Sequence, residues 1–130
     1  MKNKDIKDIV KSRRYYLNKI EAKRIDKKPD EAIKMSQQTE YEIIENKDGK
    51  LSIKLNTKIF MEPESLFSIK TEHIIEYMLE EPISNEEVEK NIDILLNPLG
   101  GELSYIISTI SKEMINTRII LPPKLEFKEE

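Results

Sequence analysis

His73 is the side chain best suited to proton transfer, and it is the one histidine in the chain. Because residues alternate faces along a strand, the neighbouring Glu72 points away from it and no local acid–base pair is expected. Nucleophilic catalysis would need one of the serines to lie beside His73 and a carboxylate, and nothing in the sequence marks out that serine. His73 is therefore interpreted as a structural, hydrogen-bonded residue.

Clustered carboxylates could bind a cation, but they surround the start of a helix, at positions 80, 81, 86, 87 and 89. Negative side chains are favoured there by the helix dipole, so we interpret them as capping residues, with a weak cation site as the alternative. The stretch from Pro98 to Gly101 lacks the lysine and the spacing of a phosphate-binding loop. These patterns predict no catalytic residue, no cofactor and no metal site, and a protein that is not an enzyme.

The composition predicts one domain with a modest core. The chain has 130 residues, of which 38% are hydrophobic and 36% are charged. Such a balance is typical of a protein whose burial is completed by a partner subunit. The absence of cysteine excludes disulfides and thiolate metal sites. No apolar run approaches the roughly 18 residues that span a bilayer, and the charged start lacks the apolar core of a secretory signal, so a cytoplasmic protein without membrane insertion is expected.

Charge is distributed unevenly along the chain. Residues 1–28 contain eleven basic and four acidic residues, a net charge of +7, which leaves −10 for the remainder of a chain whose total is −3. Residues 1–14 are predicted to be a basic N-terminal arm or a short helix that precedes a single domain over residues 15–127. A basic arm could contact nucleic acid, but no interleaved aromatic residues support this, so nucleic acid is an unlikely partner.

Alternation of apolar and polar residues predicts most of a sheet. Residues 15–25 fit either a helix or a strand. The period becomes two from Gln37 onwards, and Asp48-Gly49 is a strong hairpin signal. Strands are predicted over 50–61 and over 66–79, each with one buried and one wet face, as in an antiparallel sheet.

Helix signals begin at Ser84, an N-cap residue followed by Glu87 in a capping box. A second, longer helix starts at Asn97-Pro98, with Asn97 as its cap. One face of this helix is apolar: Leu99, Leu103, Ile106, Ile107, Ile110 and Met114. Beside it runs a row of small residues, which indicates either a helix–helix contact between subunits or a polar solvent face: Gly100, Ser104, Ser108 and Ser111. An α+β two-layer domain is predicted.

Residues 97–127 resemble the end of SecB-like export chaperones. Pro98, Tyr105, the apolar helix and the Pro-containing stretch 121–127 carry the resemblance. It implies a four-stranded antiparallel sheet packed by one long helix after a short helix, and a homotetramer built as a dimer of dimers. It also implies ATP-independent holding of unfolded or precursor polypeptides. By the same resemblance, a client groove would be lined by Phe67, Ile69, Ile75, Tyr77, Leu121, Leu125 and Phe127. From the residues alone, the same side chains could instead belong to the core, and this interpretation is favoured for Ile69 and Ile75.

Two departures from the family's pattern affect the expected function. The family's second, C-terminal helix is lacking, so a more open groove is expected. The family's export branch docks SecA through acidic residues on the outer sheet face, whereas the polar face here carries Lys50, Lys54 and Lys58. The alternatives to an export chaperone are a client-dedicated chaperone with a toxin–antitoxin partner, and an adaptor or structural protein of the same fold.

Overall fold

A computed structural model describes residues 5–25, 34–62, 66–116 and 118–119. The described strands form one antiparallel sheet in the order β1-β4-β3-β2. Their bounds are β1 Val10–Ile25, β2 Lys34–Lys47, β3 Lys50–Glu62 and β4 Leu66–Leu79. The helices are α1 Ile6–Ile9, α2 Asn85–Lys90, α3 Ile92–Leu96 and α4 Pro98–Ile115. They pack on one face, the inner face, which confirms the predicted two-layer α+β fold.

The two central strands follow the predicted alternation. Strand β4 has the predicted bounds, and β3 extends one residue further than expected. On both strands the apolar set lies on the inner face and is buried, whereas the lysines of β3 lie on the other, outer face. Burial of one face of the sheet beneath the helices is the main source of core hydrophobic stabilisation.

The β2–β3 hairpin turns at Asp48-Gly49, as predicted. Asp48 has φ +54° and Gly49 φ +79°, so both central residues adopt the left-handed conformation of a type I′ turn. A Cβ atom on Gly49 would lie 2.9 Å from the carbonyl oxygen of Leu79. The Leu79 amide also donates to the Gly49 carbonyl at 2.7 Å. Glycine is required here by conformation and by space.

Residues 15–25, which fit either a helix or a strand by sequence, form part of strand β1. It is 16 residues long and pairs antiparallel with β4 along nearly its whole length, with bulges after Val10 and Leu17. Helix α1 precedes it, and Ile6 and Ile9 are buried in the same core as β3 and β4. Residues 6–14 of the predicted arm or short helix therefore belong to α1 and the start of β1, and Ile6 and Ile9 contribute to the core.

The helices begin largely where the sequence indicates. The Ser84 hydroxyl accepts from the Glu87 amide at 3.1 Å, which confirms the predicted N-cap. Pro98 occupies the first turn of α4, but the side chain of Asn97 makes no capping hydrogen bond, because α3 runs directly into α4 and Asn97 itself has helical dihedrals. The predicted short helix is divided into α2 and α3 at Asn91.

A row of polar side chains divides the inner-face core into two apolar clusters. The larger packs α1, α2, α3 and the start of α4 on one end of the sheet, and the smaller packs the remainder of α4 on the other. Between them lie Thr57, Thr71 and His73, all buried. The hydroxyls of both threonines and both ring nitrogens of His73 lack a hydrogen-bonding partner among the described residues.

The chain reverses direction after α4. Asn116 has φ +58°, a left-handed conformation that commonly ends helices. The Ile119 amide then donates to the Ser111 hydroxyl at 2.9 Å, and Arg118 donates to the Ser108 hydroxyl at 3.3 Å. Ile119 packs against the smaller cluster, so the chain returns along its own helix.

Candidate polypeptide-binding surfaces

The strand residues expected to line a client groove belong to the core of this structure. Phe67, Ile69 and Ile75 are fully buried and Tyr77 is nearly so, because α3, α4 and the return after α4 cover this part of the inner face. Their side chains have little or no contact with solvent in this structure, and their role in a client groove stays a prediction. The remaining groove residues, Leu121, Leu125 and Phe127, lie outside the described residues.

The row of small residues on α4 is largely used within the chain. Gly100 and Ser111 are buried against their own subunit, and Ser104 and Ser108 are partly buried. Ser111 and Ser108 accept hydrogen bonds from the returning chain, as described above. Two of the four residues expected at a subunit interface, Gly100 and Ser111, are thus inaccessible from outside.

Accessible apolar side chains occur on several described elements, among them the edge strand β1 and α4. Tyr15 and Ile20 on the inner face of β1, and Tyr16 on its outer face, are each exposed by 38–40%. Tyr105 on α4 is 69% exposed. Sequence analysis missed these β1 residues because residues 15–25 could not be assigned to a strand. The aromatic pair Tyr15-Tyr16 was the available signal: adjacent residues of a strand face opposite sides, so one of the two rings must lie on the face away from the core.

The same strand has an unpaired edge. Among the described residues β1 hydrogen-bonds to β4 alone and β2 to β3 alone, so each carries outward-facing backbone N–H and C=O groups. Such edges are templates for an additional strand. An extended polypeptide adding to β1 would gain backbone hydrogen bonds and contact Tyr15, Tyr16 or Ile20 with alternate side chains.

The outer face carries charges of both signs. Arg14 on β1 pairs with Glu76 on β4. Lys54 lies 3.3 Å from Glu42 and 3.9 Å from Glu72, which also accepts a 2.7 Å hydrogen bond from Asn18. On the described part of this face, basic and acidic side chains of neighbouring strands form ion pairs, so the face is not an acidic surface.

His73 lies in the buried polar row between the two apolar clusters. It is fully buried, and burial lowers the pKa of its imidazole below the ordinary value, so the ring is neutral near pH 7. Neither ring nitrogen has a hydrogen-bonding partner among the described residues, so the expected hydrogen bond is not found there. The described residues contain no group of three or more side chains that could hold a metal ion. In the same part of the chain, every helix is too short or too polar to cross a bilayer.

The sheet order, the long helix and the short helices before it define a SecB-like fold. A solved structure of the Mycobacterium tuberculosis SecB-like chaperone Rv1957, in complex with a ChAD peptide from the HigA1 antitoxin Rv1956, matches with a TM-score of 0.75. The match covers 89% of this chain and 91% of that chain at 10% sequence identity. No model of a protein family and no curated protein matches the sequence. The fold implied by the resemblance at residues 97–127 is thereby confirmed.

Proposed function

We propose that this chain is an ATP-independent chaperone that holds unfolded segments of other polypeptides. The observation that carries the proposal is the likeness of its whole fold to a SecB-like chaperone that binds an antitoxin peptide. The accessible apolar residues beside the free edge of β1 support it, because they combine the two features by which an extended client is bound without covalent chemistry. Such a protein acts without a cofactor and is not an enzyme.

The binding surface proposed for the client combines β1 with the stretch that follows α4. Tyr15 and Ile20 supply accessible apolar contacts on the inner face. Leu121, Leu125 and Phe127 are proposed to add further apolar contacts, since the nearby Ile119 packs against the smaller cluster and its amide is bonded to Ser111 of α4. Burial of client side chains there provides the driving force.

Aggregation of a refolding client tests the proposal. A chemically unfolded, aggregation-prone protein is diluted into buffer with and without this chain, and light scattering is followed. Suppression of light scattering without added ATP is expected. No suppression at an excess of this chain over the client would overturn the proposed chaperone function. The triple change of Leu121, Leu125 and Phe127 to serine should reduce suppression while native mass is retained. A protein that only serves as an adaptor or structural component would not suppress aggregation in the first place.

Dedication to one client, as part of a toxin–antitoxin system, is the second candidate. It is favoured over SecA-dependent export by the paired, mixed charges of the outer face, which offer no acidic docking surface among the described residues. Binding of purified SecA to the intact chain by ultracentrifugation discriminates the two, since export predicts a complex.

A homotetramer built as a dimer of dimers in the cytoplasm completes the proposal. Tyr105, which is 69% exposed, and the partly buried Ser104 and Ser108 are α4 residues proposed to contact another subunit. Native mass measured with and without an unfolded peptide tests assembly and client binding together. Tyr105→Ser should shift that mass towards smaller assemblies if α4 forms the contact.

A further inference from the structure

A cavity of about 730 Å³ opens between α1, the start of β1 and the junction of α3 with α4. Much of its wall is apolar, from Ile6, Val10, Ile94 and Pro98. Ile94 is 41% exposed, so part of this apolar wall is accessible from solvent. A concave apolar site of this size accommodates side chains of an extended peptide.

Two cations line the same cavity without acidic partners. Neither Lys7 nor Arg13 forms an ion pair with a carboxylate among the described residues, and both are exposed. The Arg13 guanidinium lies 5.9 Å from the centre of the Tyr15 ring and interacts with the hydroxyl of Tyr77. Both cationic groups therefore remain available to an anion.

One acidic residue, Asp93, also lines this cavity and is exposed. Its charge contributes to raising the pKa of Tyr41, after burial and the charge of Glu89. Two cations and one carboxylate therefore line the cavity, which gives its lining a net charge of +1.

The floor of the cavity is held rigid by Tyr77. Its hydroxyl donates to the backbone carbonyl of Leu95, which joins β4 to α3. Burial raises the pKa of Tyr77 to about 12, against the opposing effect of Arg13, so the phenol stays protonated and keeps this donor at physiological pH. A pre-formed floor lowers the entropic cost of binding.

The first residues of β1 bring a free strand edge to the mouth of the cavity. Val10 and Arg13 line it, and the register between β1 and β4 shifts between Val10 and Ser12. The backbone groups on the side of β1 away from β4 are unpaired among the described residues. A polypeptide can satisfy those groups, whereas a small carboxylic acid cannot.

We propose that this cavity is a binding site for an extended polypeptide segment in which an acidic residue lies next to an apolar one. The proposal rests on the proposed chaperone function and specifies a class of client segment. The acidic side chain would pair with Arg13 and Lys7, the apolar side chain would lie against Ile94 and Ile6, and the peptide backbone would extend the sheet at β1.

Fluorescence anisotropy with two labelled peptides tests the proposal. Both are Gly/Ser-rich and equal in length; one contains a Leu-Glu pair and the other a Leu-Lys pair. The Leu-Glu peptide is expected to bind more tightly, with an affinity that falls as salt is added. Arg13→Gln should weaken its binding about fivefold, the effect of one partly exposed ion pair.

Arg14→Gln is the matched control, because the adjacent arginine lies on the outer face beside Glu76. Ile94→Ser should weaken both peptides, whereas Ile44→Ser, a similarly exposed site on β2, should weaken neither. Free acetate should not compete, since it cannot extend the sheet. Native mass at the same concentrations identifies a second copy of the chain as the occupant if the peptide displaces a dimer.

The proposal is overturned if the Leu-Glu peptide binds no better than the Leu-Lys peptide, if Arg14→Gln weakens it as much as Arg13→Gln, if acetate displaces it, or if the cavity is occupied by a second copy. Any of these results leaves the chaperone function standing when the same preparation suppresses client aggregation. Failure of both peptides to bind, together with no suppression of aggregation, removes both proposals.

Discussion

The backbone amide of Ile119 donates a 2.9 Å hydrogen bond to the hydroxyl of Ser111, eight residues earlier on α4. Ser111 is fully buried and its hydroxyl donates in turn to the carbonyl of Ser108. The hydroxyl therefore connects the backbone of α4 to the amide of Ile119 by two hydrogen bonds. This contact fixes Ile119 against α4.

Ser111→Ala should lower the free energy of unfolding by about 1–2 kcal/mol, because the partly buried Ile119 amide loses its acceptor. Urea unfolding followed by circular dichroism measures the change. Ser108→Ala is the control: it removes an acceptor from the exposed Arg118, which water can replace, and should cost less. Equal costs for the two variants would contradict a specific role for Ser111.

Thr71→Val should stabilise the protein by about 1 kcal/mol. The substitution keeps the shape of the side chain and removes a buried hydroxyl that has no partner among the described residues. Thr39→Val on β2 is the matched control, since the Thr39 hydroxyl accepts from Gln37 at 3.4 Å and its loss brings no comparable gain. A lower melting temperature for Thr71→Val would show that its hydroxyl is satisfied.

Stability should fall as the pH is lowered from 7 to 5.5. Burial lowers the pKa of His73 in the folded chain, while the unfolded chain keeps a value of about 6.5. As the pH is lowered, the unfolded state therefore takes up the proton first. The contribution of His73 to the free energy of unfolding is complete above about pH 6.5 and is lost as the pH falls towards the pKa of the folded state. The slope is at most about 1.4 kcal/mol per pH unit.

His73→Leu should remove this dependence, because no other histidine exists in the chain. No described carboxylate lies on the inner face of β3 or on the buried face of α4, where it could raise the pKa of His73. The inner-face arginines of β1, Arg13 and Arg24, lie opposite Tyr77 and Phe67 and not opposite His73. Thermal unfolding at a series of pH values measures the effect. The same slope in the wild type and in His73→Leu would assign the pH dependence to carboxylates.

The two glycine positions 49 and 101 should respond oppositely to alanine. Gly49→Ala forces a Cβ to 2.9 Å from the Leu79 carbonyl at φ +79°, and should destabilise by more than about 1 kcal/mol. Gly101→Ala adds a methyl group to open space on a helix and should stabilise by about 0.5–1 kcal/mol. Chemical denaturation of both variants provides the comparison, and destabilisation by Gly101→Ala would indicate an intersubunit contact there.

Local patterns in the sequence were sufficient for β3, β4, the hairpin at Asp48-Gly49 and the cap at Ser84, because each is encoded by residues near one another in the chain. Strand β1 could not be assigned in this way. Its residues are mostly exposed, so they lack a strict alternation, and the strand forms because β4 supplies a partner about 60 residues away.

The candidate site was less predictable than the fold. The resemblance implied that apolar strand residues line a groove, but Phe67 and Ile69 are covered by α4 and Ile119. This covering depends on tertiary packing, which local sequence patterns do not specify. Helix α1 has four residues, too few to give a periodic signal, so its place in the core and beside the cavity was not evident. Pairing of Lys54 with Glu42 and Glu72 likewise depends on strand register.

The polar row of Thr57, Thr71 and His73 has a consequence for the dynamics of the molecule. Because it separates the two apolar clusters, the end of α4 beyond Ile107 depends on the smaller cluster alone, while Leu99 and Leu103 are held by the larger. Local opening should therefore begin at the far end of α4, and amide hydrogen exchange should be faster at residues 110–115 than at 102–106. The fold would fray at one end while the other remains intact, and each fraying event would uncover Phe67 and Ile69.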